Sequence, residues 1–129
     1  MILCDTNILI EFYRDHDDIV DVLRGIGLPN LAVSAITIGE LYFGARDRRE
    51  LLKIKKHLAS LQRIPIDQET SELALSLLET YALSHRLNLP DAVIAATAMR
   101  HGLSLYTLNV KTFDSSRGFR FTNLDAILS

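Results

Sequence analysis

Residues 2–13 read ILCDTNILIEFY, an apolar run that passes directly into a helical pattern. Ile2 to Cys4 predicts a short buried strand that ends at Asp5. From Thr6 onward the apolar residues fall at helical spacing, which predicts a helix immediately after the strand. This order is typical of a parallel sheet covered by helices, in which sites form at the carboxyl ends of the strands. We therefore expect the polar residues at this junction to lie where a site forms.

The rest of the chain repeats the alternation of strand and helix. Short apolar segments predict further strands at residues 31–34, 63–66, 103–107 and 119–122. Helical spacing predicts helices at residues 17–26, after Ser34, at 46–61, from 67 to about 86, and at 91–101. No repeat or linker separates these segments. We expect one α/β domain over residues 1–129, with a central, mainly parallel sheet covered on both faces.

Composition narrows the possible functions. The 129 residues are 48% hydrophobic and 23% charged, as expected for a folded globular protein. The formal net charge of -2 provides no overall attraction for nucleic acid, so any RNA contact must come from local basic patches. Cys4 is the single cysteine, which excludes an internal disulfide, and its apolar setting predicts a core residue. With no signal peptide or membrane span recognisable, we expect a cytoplasmic protein.

Three acids lie in settings that need an explanation. Asp5 could cap the helix after the first strand, accepting from amides two or three residues further on. Glu40 lies in the apolar stretch ITIGELYFG, where we expect it to be largely buried. No basic residue lies within five positions of it, so its burial requires a distant partner. Asp91 opens a nearly all-apolar helix and could again act as a cap.

A shared metal ion would explain all three acids. Converging carboxylates raise one another's pKa and cannot all ionise without a counter-charge. Oxygen-only ligands favour Mg²⁺ or Mn²⁺ over zinc, and the four histidines show no zinc-ligand spacing. Such a site suits cleavage of phosphate esters, in which the metal activates water and offsets charge on the phosphate.

Four segments together carry a family resemblance: CDTNILIEF, SAITIGELYFGA, LPDAVIAATAMRHGLSLYTLN and VKTFD. In this order and spacing they resemble the PIN-domain ribonucleases, in particular the VapC-type toxins, over essentially the whole chain. The resemblance implies a single PIN domain, a three-layer α/β/α sandwich. It also implies that Asp5, Glu40 and Asp91 are the catalytic, metal-binding acids, with Thr6 and Asn7 orienting the site.

The last of these segments departs from the family pattern. After the late strand the family usually reads T-x-N/D-x-x-D/E-F, and this chain reads TLNVKTF. Thr107, Asn109 and Phe113 match, but Thr112 replaces the acid before the Phe. Asn109 is then a neutral candidate ligand, and Asp114 a candidate substitute for the missing acid. We expect one well-held Mg²⁺ or Mn²⁺ ion, and a second that binds weakly or only with RNA present.

The resemblance further implies hydrolysis of RNA to a 5′-phosphate and a 3′-hydroxyl, a homodimer, and a cognate antitoxin that lays a peptide across the site. It leaves open whether the substrate is tRNA or mRNA.

The main alternative is a PIN-fold RNA- or protein-binding module that has lost catalysis. Thr112 keeps this alternative open, whereas the three retained acids oppose it. A haloacid-dehalogenase-like phosphatase fits poorly, because its second acid would stand at Asn7. A receiver domain also fits poorly, because the first strand offers only Asp5.

Two groups of cations are candidates for RNA contact. Lys111, Arg117 and Arg120 lie closest in sequence to the proposed site. Arg46 and Arg49 belong to the most basic segment of the chain. The charges of that segment are more typical of the solvated face of an amphipathic helix, and a role in holding phosphates stays open at this point.

Overall fold

A computed structural model describes residues 1–109 of the chain, and its centre is a four-stranded sheet. The strands are β1 (Ile2–Cys4), β2 (Leu31–Ser34), β3 (Gln62–Ile64) and β4 (Ser104–Tyr106). They lie in the order β3-β2-β1-β4, and every neighbouring pair is parallel. The carboxyl ends of all four strands therefore meet at one edge, as the sequence predicts. The predicted strand at residues 119–122 lies outside the described residues.

Within residues 1–109, six α-helices connect and cover these strands. They are α1 (Thr6–Tyr13), α2 (Asp17–Ile26), α3 (Ala35–Phe43), α4 (Arg48–Leu58), α5 (Gln68–His85) and α6 (Leu89–His101). Polar side chains begin several of them, because the first amides of a helix lack partners within it. Ser34 accepts from the Ile36 amide at the start of α3, and Asp67 accepts from the Thr70 amide at the start of α5. Both lie where the sequence predicts a helix to begin.

The helices pack on both faces of the sheet, so the predicted three-layer α/β/α arrangement is confirmed. Successive side chains of a strand point to opposite faces. Leu3 packs in one core with α5 and α6, while its neighbour Cys4 packs in the other core with α1, α2, α3 and α4. Leu105 and Tyr106 of β4 divide between the two cores in the same way.

Cys4 is fully buried, and burial raises the pKa of its thiol to about 12. The interpretation of Cys4 as a core residue is confirmed. No helix in the described part of the chain combines the length and the apolar character that a bilayer crossing requires.

Helix α6 begins two residues earlier than predicted, at Leu89. Asn88 is the capping residue, and its Oδ1 accepts from the Asp91 amide at 2.9 Å. Pro90 is tolerated in the first turn because an amide there has no helical partner to lose. The prediction that Asp91 caps this helix is therefore wrong, and its carboxylate is left for another role.

Candidate active site

Asp5 lies at the carboxyl end of β1 and is almost fully buried, at 4% exposure. One carboxylate oxygen accepts from the Thr6 amide at 2.7 Å, and the other from the Thr107 hydroxyl at 2.6 Å. Asp5 therefore acts as the predicted cap, but it binds the very next amide instead of one further on. Thr107 directly follows β4, so two neighbouring strand ends hold this acid.

Burial and hydrogen bonding shift the pKa of Asp5 in opposite directions. Burial raises the pKa of its carboxyl group, and the nearby Glu40 carboxylate raises it further. The hydrogen bonds from Thr107 and from the Thr6 amide act in the opposite direction, and the net effect is a raised pKa. The balance disfavours the charged form of Asp5 unless a positive charge is close by.

Glu40 lies on α3 and faces the start of α1. Its Oε1 accepts from the Thr6 hydroxyl at 2.7 Å, and that hydroxyl also lies 3.0 Å from the hydroxyl of Thr37. Thr6 thus links the two acids, since its amide binds Asp5 and its hydroxyl binds Glu40. The expected distant partner of Glu40 is a neutral hydroxyl. Glu40 is half-buried on this helix.

Asp91 lies in the first turn of α6, half-buried and turned toward the same region. Burial raises its pKa to about 6, and the carboxylates of Asp5 and Glu40 add to this increase. Within residues 1–109 its carboxylate forms no hydrogen bond and no ion pair. The three acids singled out in the sequence therefore converge closely enough to repel one another.

The three acids do not by themselves form a complete set of metal ligands. Within residues 1–109, no three His, Cys, Asp or Glu side chains are grouped tightly enough to form a ready metal cluster. Asp5, Glu40 and Asp91 nevertheless offer only oxygen donors, which suit a hard divalent cation. No cation lowers the pKa of Asp5 or Asp91, so the charge that would balance them has to come from outside this part of the chain.

Hydrogen bonds hold the segment after β4 against α1. The residues that form them are among those that the sequence indicated as supporting the site. Asn7 accepts from the Leu108 amide through Oδ1 at 3.3 Å, and the Thr107 hydroxyl accepts from the Asn109 amide at 3.0 Å. Asn109 is therefore brought to the carboxyl edge beside Asp5. Asp114, the candidate substitute acid, lies outside the described residues.

An open groove of about 460 Å³ runs beside Glu40 and Thr6. Its wall combines Thr6 and Glu40 with apolar groups from α1, α3 and the segment after β3, and it is lined by Thr6, Ile10, Ala35, Ile36, Gly39, Glu40, Phe43 and Ile66. Phe43 is 94% exposed, so a large apolar ring stands in solvent at the groove. Neither this wall nor Thr37 was predicted from the sequence. The position of Thr37, one helical turn before Glu40, is the signal that could have indicated it.

Of the five cations that are candidates for RNA contact, Arg46 and Arg49 lie within residues 1–109. Lys111, Arg117 and Arg120 lie outside the described residues. Arg46 is exposed just before α4 and pairs with Glu50 at 2.9 Å. Arg49 is exposed on α4 itself.

Thr107→Val is expected to lower the stability of the metal-free protein by about 1.5–3 kcal/mol, the value of a hydrogen bond to a charged group. Valine keeps the shape of the buried threonine but removes the hydroxyl that donates to Asp5. Thr107→Ser keeps that hydroxyl and serves as the control. Urea unfolding of both variants measures the difference, and equal losses for Val and Ser would contradict the assigned hydrogen bond.

Comparison with known proteins agrees with this geometry. The family model described as PIN domain matches residues 2–118. A curated protein named Ribonuclease VapC10, from Mycobacterium tuberculosis strain CDC 1551 / Oshkosh, is 36% identical over 117 residues. That match covers 88% of this chain and 86% of the relative.

Solved structures share the same architecture. A chain of a toxin–antitoxin complex from Klebsiella pneumoniae superimposes with a TM-score of 0.79 and 33% identity. The match covers 93% of this chain and 96% of that one. A chain of DNA-bound VapBC from Salmonella typhimurium superimposes with a TM-score of 0.81 at 22% identity, covering 95% of this chain and 96% of the other, and that likeness concerns the fold alone.

Proposed function

This chain belongs to the PIN-domain family, and from that premise we propose that it is a metal-dependent endoribonuclease, the toxin component of a toxin–antitoxin pair. The observation that carries the proposal is the convergence of Asp5, Glu40 and Asp91 beside an open groove. The relatives support it, since a curated one is named a ribonuclease and a structural one is a toxin–antitoxin complex.

Asp5, Glu40 and Asp91 would hold the ion, Mg²⁺ or Mn²⁺. When bound, the ion activates water at neutral pH and offsets charge on the phosphate and the leaving oxygen. The chain supports these ligands beforehand, because Thr107 fixes Asp5 and Thr6 fixes Glu40 through short hydrogen bonds. Partners of this kind orient metal ligands and commonly contribute 10–100-fold to affinity. Asn109 and Asp114 are the candidates for a second, weaker site.

The groove suits both the substrate and the expected partner. RNA bound in it would contact Glu40, and its apolar wall offers a peptide of the antitoxin a surface to cover. We propose that a cognate antitoxin inhibits the protein by occupying this groove, and that the toxin acts as a homodimer.

Incubation of the purified, antitoxin-free protein with total tRNA and with a structured mRNA tests the proposal directly. We expect cleavage with Mg²⁺ or Mn²⁺ and none with chelator, and the products should end in a 5′-phosphate and a 3′-hydroxyl. Folded protein that binds RNA with or without metal and cuts neither substrate would favour the binding-module alternative.

Millimolar Mn²⁺ is expected to raise the melting temperature of the protein by on the order of 10 °C. An ion at 100-fold excess over its Kd stabilises the folded state by about 2.7 kcal/mol. One kcal/mol corresponds to roughly 3–5 °C for a domain of this size. The repulsion among the three acids is relieved by binding, so the effect should be large. Thermal melts with and without Mn²⁺ measure it.

Glu40→Gln is the matched variant for this measurement. It removes one charge but keeps an oxygen that accepts from the Thr6 hydroxyl. We expect this variant to fold and to lose most of the Mn²⁺-dependent increase. A full increase in Glu40→Gln would exclude Glu40 from the ligand set, and an unfolded variant would make it mainly a structural partner.

A further inference from the structure

Positive charge is concentrated on one short segment of this chain. Six of its 14 lysines and arginines lie between residues 46 and 56, although the protein as a whole carries a formal net charge of -2. Five of the six are exposed on helix α4, and we call them the basic face of α4: Arg48, Arg49, Lys53, Lys55 and Lys56.

The acids of this segment do not neutralise the basic face of α4. Glu50 pairs with Arg46, which lies before the helix. Asp47 caps the helix by accepting from the Glu50 amide at 2.8 Å. Within residues 1–109, none of the five cations of the basic face forms an ion pair.

The cations of the basic face are not there to stabilise α4, because several of them are unfavourable for the helix. Arg49 and Lys53 stand four residues apart, and like charges at that spacing destabilise a helix. Arg48 and Arg49 also occupy the first turn, where the positive end of the helix dipole disfavours cations. Lys55 and Lys56 at the other end are favourably placed, so the unfavourable charges are those nearest to α3.

The basic face belongs to the helix that follows α3 in the chain and packs against it, and α3 carries Glu40. Four residues separate the end of α3 from the start of α4, and the Gly44 amide in that connection donates to the Glu40 carbonyl. Arg49, Lys53 and Lys56 follow one another at spacings of four and three residues, so they form one row along the helix. The 11 residues of α4 extend over about 16 Å, enough to follow several phosphates of a strand.

We infer that the basic face of α4 binds the phosphate backbone of RNA next to the acidic site. The inference rests on the proposed function and adds the surface that holds the substrate. A strand cut at the acids meets a repulsive cluster of carboxylates there, so its affinity has to come from phosphate contacts elsewhere. The row of unpaired cations on α4, the helix that packs against α3, supplies them.

The dependence of RNA binding on salt tests this inference. A labelled single-stranded RNA is titrated in the Asp5→Asn background with chelator, so that no RNA is cut. The triple variant Arg49→Gln, Lys53→Gln and Lys56→Gln should reduce the slope of log K against log salt by about 2, at roughly 0.7 per phosphate contact on a single strand. The same loss weakens binding on the order of 100-fold at 0.1 M salt. Its melting temperature should not fall, because repulsive charges are removed.

A second triple variant controls for net charge. Arg14→Gln, Arg24→Gln and Arg86→Gln remove three exposed cations from other surfaces, and we expect the slope to stay as in the parent. Equal slopes for the parent and the α4 variant would overturn the inference, even if the protein cleaves RNA. A reduced slope in a protein that never cleaves would keep the inference and reject the proposed activity. Polyglutamate is titrated in parallel as an acidic polypeptide. If the α4 triple variant loses binding to polyglutamate but keeps its binding to RNA, the face binds an acidic protein partner and the inference is overturned as well.

Discussion

Asp5→Asn is expected to lower metal-dependent RNA cleavage at least about 10³-fold while the chain stays folded. The substitution removes the buried anionic ligand at the end of β1. A metal ion contributes several kcal/mol to phosphate-ester cleavage, and each 1.36 kcal/mol is a factor of ten in rate. The asparagine oxygen can still accept from the Thr6 amide, and its amide group can donate to the Thr107 hydroxyl.

The stability of this variant is part of the prediction. Burial and Glu40 both raise the pKa of Asp5, so the neutral side chain should leave the metal-free protein at least as stable as the wild type. Asp21→Asn, an exposed position on α2, makes the same chemical change away from the site and should cleave RNA normally. Cleavage by Asp5→Asn at more than a tenth of the wild-type rate would remove Asp5 from the catalytic machinery.

Leu3→Ala is expected to lower the free energy of unfolding by about 2–5 kcal/mol. Leu3 is fully buried in β1, which has a hydrogen-bonded neighbour on each side, and it packs in the core formed with α5 and α6. The interior strand cannot move to fill the cavity without disturbing both neighbours. Total stabilities of 5–15 kcal/mol are usual, so this single change removes a large fraction.

Leu83→Ala provides the matched control for the core prediction. Leu83 lies on α5 at 99% exposure, so the same atoms are removed from solvent-facing surface. We expect a change within about 0.5 kcal/mol. Urea unfolding measures both variants, with the slope against urea concentration unchanged if the loss is one of stability alone. Similar losses for the two variants would mean that Leu3 is not in the core of the domain.

The strand-to-helix junctions were predictable because local patterns determine them. An apolar run ending at Asp5 and a capping Ser34 each mark a boundary that needs no knowledge of the fold. The three acids of the candidate site were also singled out from the sequence, because acids in apolar surroundings without nearby cations need a common explanation. The family resemblance placed the same three residues, and the structure brings them together.

Other features depend on packing that the sequence does not display. Asn88 and Asp91 are both good caps, three residues apart, and the pattern alone does not choose between them. The apolar neighbours of Glu40 did not indicate that Gly39 and Phe43 beside it are exposed at the groove. The contact between Thr6 and Thr37 exists only because α1 packs on α3.

The hydrogen bond between Asp5 and Thr107 joins residues 102 positions apart in the chain. Strand β1 also needs a distant part of the chain, because one of its two neighbours in the sheet is β4. Ile2 lies opposite Ser104, and Cys4 lies opposite Tyr106. Contacts of such high sequence separation form late in folding. During translation, a nascent chain that ends before β4 therefore has no assembled site. The ribosome and its RNAs meet the nuclease only after nearly all of the described sequence has left the exit tunnel.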